Sequence, residues 1–372
     1  MNKRPAGRLR RVYPSLTPPV ATNPTTSSAS AASPTDALPD DLVYVEPSTS
    51  GYTARRLKRG WGIYDEGGGR IQDAALLARV DALGIPPQWR EVWVCADPAG
   101  HLQCTGRDAK DRKQYIYHAE YVAFRQNAKF RKLVGFAERL PAARREVARQ
   151  LRRRTWDRER MLALMFRLLD RTHLRIGNDR YSAENETYGL TTLRRRHVRQ
   201  DEGRDLRISF TGKSGKLRRV TVKNRQLRRL VREVSELPGY RLFTYRDERG
   251  KARELDSGDL NDYLHDLMGD RFSAKDFRTW GGTSDAVRLY PAAVEEHERA
   301  GRGKLVTRLV RLVAKELGNT VSVCRSYYIH PEVLAGAERG GLPSETWEPH
   351  PRAEELAPYE AYTLEFLRGR PA

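Results

Sequence analysis

A tyrosine hydroxyl becomes a usable nucleophile when it is held still beside groups that take up charge, and Tyr328 lies in a stretch suited to that. The box Gly318-Asn319-Thr320-Val321-Ser322-Val323-Cys324-Arg325-Ser326-Tyr327-Tyr328-Ile329-His330-Pro331 follows a segment in which Leu305, Val306, Leu309, Val310, Val313 and Leu317 repeat at helical spacing. Gly318 is the residue type that closes a helix in the left-handed conformation. Ser322 is expected to cap a second short helix and Pro331 to stop it, which would hold Tyr328 one to two turns in and close to Asn319. Taken alone, a pair such as Tyr327-Tyr328 is more often half-buried packing. What raises this pair is a set of cations placed elsewhere in the chain.

The run Met161-Leu162-Ala163-Leu164-Met165-Phe166-Arg167-Leu168-Leu169 is apolar nearly all round and predicts a buried helix. Its face Met161, Leu164, Leu168 continues through Thr172 to Arg175, with Gly177 expected to end it. Arg175 would then point inward, where an unpaired charge is very costly, so it needs an anion. Glu184 or Glu186 of its own chain could supply one, and so could a ligand. Ser273 and Asp276 make a capping pair for a helix that carries Arg278 in its first turns.

Tyr188 to Leu193, Leu206-Arg207-Ile208-Ser209-Phe210 and Val220-Thr221-Val222 predict strands. The last two bracket Thr211-Gly212-Lys213-Ser214-Gly215-Lys216, a hairpin tip. A phosphate-cradling P-loop is excluded there, because the position six before Lys213 is Arg207 rather than glycine and the context is a hairpin rather than a strand-to-helix turn. Lys213 on such a tip is either solvated or a cation able to reach into a site.

Against these elements the composition sets the partner. The 372 residues hold 68 Lys+Arg and 48 Asp+Glu, a net charge of +20, which favours polyanions and makes nucleic acid the expected ligand. Cys95, Cys104 and Cys324 are an odd number without CxxC spacing, so neither a disulfide framework nor a zinc site is indicated and a reducing compartment fits. No apolar run has the length of a signal-peptide core or a membrane span. The expectation is a soluble, cytoplasmic protein that meets nucleic acid.

Residues 1–50, rich in Ser, Thr, Ala and Pro with basic Lys3, Arg4, Arg8, Arg10 and Arg11, are expected to be a disordered tail. Residues 51–130 carry mainly β signals, with a helix at about Ala74 to Leu83. Val92-Trp93-Val94-Cys95, the turn Asp97-Pro98-Ala99-Gly100 and His101-Leu102-Gln103-Cys104 form a hairpin, and Arg112-Lys113-Gln114-Tyr115-Ile116-Tyr117-His118 reads as a further strand. Tyr115 and Tyr117 share a face with Lys113, while Arg112, Gln114 and Ile116 share the other. Aromatics interleaved with Arg, Lys and Gln suit a surface that meets phosphates and base edges, and an edge strand packing its tyrosines on a neighbour has the same pattern. Ile85-Pro86-Pro87-Gln88-Trp89 is a rigid loop that either touches DNA or covers the small core. A helical, Arg-rich stretch from about 125 to 150 marks the expected linker to a second lobe, residues 131–372. Trp347 and the helix-like Tyr359 to Leu367 read as packing.

Taken in order, Leu174-Arg175-Ile176-Gly177, Glu184-Asn185-Glu186-Thr187-Tyr188-Gly189-Leu190, Gly212-Lys213, Lys275-Asp276-Phe277-Arg278-Thr279 and the Tyr328 box resemble the type IB DNA topoisomerases, most closely the poxvirus-like and bacterial branch. The resemblance spans roughly residues 55 to 335. It implies an α+β architecture: a small β-rich N-terminal domain, then a mainly α-helical catalytic domain with a small antiparallel sheet, of the kind shared with tyrosine recombinases. It also implies a monomer that clamps duplex DNA and relaxes supercoils. Tyr328 would attack a backbone phosphate to give a 3′-phosphotyrosyl link and a free 5′-hydroxyl, the cut strand would swivel, and the hydroxyl would reseal the break. Arg175 and Arg278 would neutralise the non-bridging oxygens, Lys213 would protonate the leaving 5′-oxygen, and no cofactor, neither ATP nor a metal, would be needed. Arg112, Lys113, Gln114, Tyr115, Tyr117 and Tyr181 are the implied DNA contacts.

Two rivals are distinguishable. Tyrosine recombinases typically have histidine three residues before the second arginine, where this chain has Lys275, and a purely DNA-binding protein would need no tyrosine at 328. One departure from the family stands out. Asn319 occupies the place where most members have histidine, and an amide donates a hydrogen bond but does not titrate.

Overall fold

The computed structural model describes residues 38–47, 50–200, 205–348 and 354–369. The chain divides into two compact units, Met1–Ala128 and Lys129–Ala372. The expected tail lies mostly outside the described residues, but part of it does not. Val43 bridges Gly100, the Val45 amide donates to His101 Nδ1 at 3.0 Å, and Tyr44 stacks on the His101 ring at 4.4 Å. The composition of residues 38–47 hid this, because two apolar residues, Leu42 and Val45, are enough to seat them.

In the first unit, strands β1 (Gly51–Arg56), β2 (Trp61–Tyr64), β3 (Arg90–Cys95), β4 (Leu102–Arg107) and β5 (Lys113–Tyr117) form one antiparallel sheet in the order β2-β1-β3-β4-β5, with helix α1 (Ala74–Ala82) between β2 and β3 in sequence. The sheet and α1 bury Ala54, Ile63, Val80, Val92, Val94 and Cys104. Ile85 and Trp89 join that core, so the Pro-Pro loop covers it. β5 is the edge strand, and the rings of Tyr115 and Tyr117 stack at 6.1 Å. The boundary between units falls inside helix α2 (Ala119–Arg131) rather than in a linker, since Ala, Glu, Gln and Lys there favour an unbroken helix.

The second unit is mostly helical. Helix α3 (Leu133–Gln150) packs on α4 (Arg158–Thr172), which is buried from Arg160 to Asp170 as its all-round apolarity requires. After the short α5 (Asp179–Asn185) come β6 (Val198–Gln200), β7 (Leu206–Thr211) and β8 (Leu217–Val222), an antiparallel sheet in that order. Tyr188 to Leu193 is not a strand. Its backbone contains a single helical turn at Leu190–Thr192 and bonds instead to the segment after α4. Helix α6 (Arg225–Glu236), the ribbon of β9 (Thr244–Arg246) and β10 (Ala252–Glu254), and α7 (Ser257–Met268) follow. The remaining helices are α8 (Ala274–Arg288), α9 (Tyr290–Ala300), α10 (Leu305–Leu317), α11 (Val321–Tyr327), α12 (Pro331–Glu338) and α13 (Pro358–Leu367).

The chain beyond residue 340 is tied into this unit by charge as well as by apolar contact. Arg144 on α3 is buried and donates to Asp170 of α4 at 2.7 Å and to Glu360 of α13 at 2.8 Å, while Trp280 Nε1 donates to Glu360 at 3.2 Å. Burial opposes the Arg144 charge, but the two carboxylates outweigh it and hold its pKa above the ordinary arginine value. With each charge paired and hydrogen-bonded, the triad satisfies the condition under which buried ions are tolerated.

Candidate active site

Arg175 does not lie on α4. The helix stops at Thr172 because His173 adopts left-handed geometry (φ 49°, ψ 32°), and Leu174 to Gly177 follow without regular secondary structure. That segment is held by backbone bonds, Leu190 amide to Arg175 carbonyl at 2.8 Å and Thr191 amide to Ile176 carbonyl at 2.7 Å. Gly177 and Gly189 permit the approach: a Cβ on Gly189 would lie 2.4 Å from the Gly177 nitrogen. The expected anion for Arg175 is not Glu186 either. Among the described residues no carboxylate lies in ion-pair range of it; the side chains of Glu184 and Tyr181 lie outside the described residues. Its guanidinium donates instead to Asn319 Oδ1.

Arg278 sits in the first turns of α8, whose start is fixed by the Asp276 carboxylate receiving the Ser273 amide at 2.8 Å and hydroxyl at 3.1 Å. Arg278 is 4% exposed, and its guanidinium donates to the carbonyls of His173 and Leu317, the latter at 3.1 Å, while its buried Nε has no partner among the described residues. Anchoring at both terminal nitrogens fixes the direction in which that Nε points.

The Tyr328 box departs from expectation in two details. Thr320, not Ser322, caps α11, its hydroxyl accepting from the Val323 amide at 3.3 Å; and Pro331 opens α12 rather than ending α11. Proline fits the first helical turn, where its missing N–H costs nothing. Tyr328 is thus the residue on which α11 ends, half-buried, its amide bonded to the Cys324 carbonyl at 3.0 Å. Gly318 closes α10 in left-handed geometry as expected, and the Asn319 amide folds back to the Ala314 carbonyl at 2.9 Å. The Arg278 guanidinium lies 5.0 Å from the centre of the Tyr328 ring.

Four of the five expected catalytic residues therefore converge: Arg175 on Asn319, Arg278 on the Tyr328 ring, and Asn319 between Gly318 and α11. Asn319 Nδ2 is buried with no partner among the described residues. Burial, then the neighbouring Arg278 and Arg218, push the Arg175 pKa down to about 10, with Tyr328 opposing the shift. Crowded cations and buried N–H donors without partners among the described residues suit an anion with several acceptor oxygens. Lys213 stands on the exposed tip of the β7–β8 hairpin, in the turn Lys213–Gly215. Five residues on, Arg218 donates to the carbonyls of Lys315, at 3.2 Å, and Glu316, so the hairpin is anchored to the last turn of α10 beside the tyrosine box.

Several residues here carried no clear sequence signal. Lys129 is one of many basic residues on a polar helix, yet its Nζ donates to the Tyr327 carbonyl and lies 5.1 Å from the centre of the Tyr328 ring. Arg218 was one of several arginines on a hairpin. Gly282 did leave a trace, as part of a Gly-Gly pair inside a helix, which normally has a packing reason. A Cβ there would lie 2.5 Å from the Tyr328 carbonyl oxygen. Thr283 bonds that same carbonyl at 3.3 Å and accepts the His330 amide at 3.1 Å.

Of the expected DNA contacts, Arg112 is held by Asp108, its Nε donating at 2.8 Å, and Gln114 donates to the same carboxylate at 3.1 Å. Lys113 is exposed, with its ammonium 5.9 Å from the Tyr115 ring centre. Tyr115 and Tyr117 are half-buried on the edge strand.

Comparison with known sequences agrees with this geometry. Residues 118–338 match the family described as eukaryotic DNA topoisomerase I, catalytic core, and residues 60–108 match the bacterial DNA topoisomerase IB N-terminal domain. DNA topoisomerase 1B of Acanthamoeba polyphaga mimivirus is 30% identical over 260 residues, which cover 68% of this chain and 77% of the relative. DNA topoisomerase 1B of Vaccinia virus (strain Copenhagen) is 24% identical over 233 residues, 62% of this chain and 70% of the relative. Neither a recombinase nor a purely binding protein is favoured by these matches, and with a tyrosine set among converging arginines the chain belongs to the type IB DNA topoisomerases.

Proposed function

We propose that, in relaxing supercoiled duplex DNA, this enzyme uses Tyr328 as nucleophile, Arg175, Arg278 and Asn319 as the cradle for the reacting phosphate, and Lys213 as general acid. What carries the assignment is the Arg278 guanidinium over the Tyr328 ring, beside an Arg175 that feels the charges of both Arg278 and Tyr328 and donates to Asn319, with no carboxylate among the described residues pairing with Arg175. In the cleavage step the Tyr328 oxygen bonds to phosphorus and gives up its proton to solvent. The bond from phosphorus to the 5′-oxygen breaks, and that oxygen takes a proton from Lys213. Resealing is the reverse. Charge on the non-bridging oxygens grows toward the transition state, and preorganised guanidinium and amide donors stabilise it there. Arg112, Lys113, Gln114, Tyr115, Tyr117 and Tyr181 are proposed to meet the flanking duplex, Gln114 and Arg112 after exchanging their Asp108 partner for phosphate. The protein is proposed to act as a monomer in the cytoplasm, on the nucleoid; its net charge of +20 and buried free cysteines support that reading.

Purified protein is expected to relax supercoiled plasmid with a chelator present and without nucleotide, because the phosphoryl transfer is assigned wholly to side chains. Strict dependence on magnesium or ATP would overturn the assignment.

Asn319 supplies a second test. Its Oδ1 accepts from Arg175 and its Nδ2 is free to donate to a phosphate oxygen. Asn319→Ala should cost about 1–3 kcal/mol, on the order of ten- to a hundredfold in the cleavage rate. Asn319→His should keep substantial activity near neutral pH, since a neutral imidazole can accept on one nitrogen and donate from the other. An imidazolium has two donors and would face Arg175 with a like charge, so this variant should lose activity as pH falls. A fully active Asn319→Ala beside a dead Asn319→His would show that residue 319 does not contact the phosphate.

A further inference from the structure

Beyond the five residues already assigned, the site contains a cation that the reaction scheme does not use. Lys129 belongs to the last turn of α2, and three contacts set its end against the tyrosine box and α8. Its ammonium donates to the Tyr327 carbonyl, the Phe130 and His330 rings meet edge to face at 5.1 Å, and Lys132 Nζ pairs with Asp276 at 2.7 Å. The ammonium is 5.1 Å from the Tyr328 ring centre and the Arg278 guanidinium is 5.0 Å from it, so two positive groups lie within cation–π range of one phenol. Burial pushes the Lys129 pKa down to about 8, Asp276 opposes this, and Lys132, Arg278 and Lys275 add to it. The side chain thus remains mostly charged at neutral pH, and a bound phosphate would favour the charge further.

We propose that Lys129 is a positioning residue for transesterification. It fixes the Tyr328 ring through the carbonyl before it and stabilises, across the ring face, the negative charge that the phenolic oxygen carries in the transition state. This inference rests on Tyr328 being the nucleophile. When the bond to phosphorus is half formed, the phenolic oxygen is more negative than in either the free phenol or the aryl phosphodiester. The ring face is then at its most negative, and a cation over it helps the transition state more than either end state. Loss of the Lys129 charge should therefore slow cleavage and resealing by the same factor and leave their ratio unchanged.

The test compares full-length wild type, Lys129→Met, which keeps the length of the side chain, and Lys129→Arg, which keeps the charge. Covalent adduct formation on supercoiled plasmid is followed under single turnover, adduct decay is followed after a jump to high salt, and plasmid binding and melting temperature are measured beside them. Lys129→Met is expected to be slower by about tenfold in both directions, with adduct level at equilibrium and binding unchanged and the melting temperature lowered only slightly by the one lost hydrogen bond to the Tyr327 carbonyl, and Lys129→Arg to recover to within about threefold of wild type. Wild-type rates in Lys129→Met would overturn the proposal. So would equal losses in both variants, a change in one direction only, or a loss that appears in binding. Tyr328→Phe serves as control: if it still forms adduct, the nucleophile has been misassigned and the inference falls with it, whereas a dead control leaves the Lys129 outcomes to decide the inference alone.

Discussion

Tyr328→Phe is expected to abolish both plasmid relaxation and covalent adduct, a loss of about 10⁴-fold or more, while leaving DNA binding and folding near wild type. The substitution removes one oxygen and keeps the ring, and it is the ring and backbone of Tyr328 that hold it in place. Arg278 and Lys129 lie over the ring, Thr283 bonds the carbonyl, and the amide closes α11. No hydrogen bond of the hydroxyl within the described residues is lost. DNA affinity comes from many cations on a chain of charge +20, so a single hydroxyl contributes little to it. Tyr327→Phe is the matched control and should stay active, because Tyr327 meets the site through its carbonyl, the acceptor of the Lys129 bond. A dead Tyr327→Phe with an active Tyr328→Phe would exchange their roles.

What the sequence revealed of this site depended on how local each cause is. Arg278 was legible because Ser273 and Asp276 cap the helix that carries it and lie within five residues of it. The end of α10 was legible from Gly318. Arg175 was harder: periodicity ran on through Thr172 and suggested a longer helix, but the left-handed turn at His173 ended it, and no rule of spacing anticipates a non-glycine residue at φ 49°. Tyr188 to Leu193 looked like a strand from its residue types, but its backbone bonds to that unexpected non-helical segment instead of joining a sheet. Lys129 and Arg218 were invisible for a different reason. Their partners, Tyr327 and the carbonyls of Lys315 and Glu316, are 198, 97 and 98 residues away along the chain. Only the fold brings them together. The buried link from Arg144 to Glu360, 216 residues apart, falls in the same class.

The assigned division of labour between Lys213 and Arg278 leads to an asymmetric rescue. Lys213→Ala should slow cleavage by about 10²–10⁴-fold, the usual effect of removing a general acid. If the task of Lys213 is to protonate the 5′-oxygen, a substrate with sulfur at that bridging position should restore most of the rate, because a thiolate leaves without a proton. Arg278→Ala should lose about 10²–10³-fold or more and show no such recovery, since its task concerns the non-bridging oxygens, which the sulfur does not alter. The structure adds a control that the chemistry alone does not suggest. Arg278 also satisfies the buried carbonyls of His173 and Leu317, so its removal leaves two acceptors unpaired and should lower the melting temperature, whereas Lys213, exposed on a hairpin tip, should change it little. Arg278→Lys, which keeps a charge but not the fork that holds both carbonyls, should therefore remain far below wild type on either substrate. Equal rescue of Lys213→Ala and Arg278→Ala by the sulfur substrate would mean that both act on the leaving oxygen, and the roles given to the hairpin and to α8 would have to be redrawn.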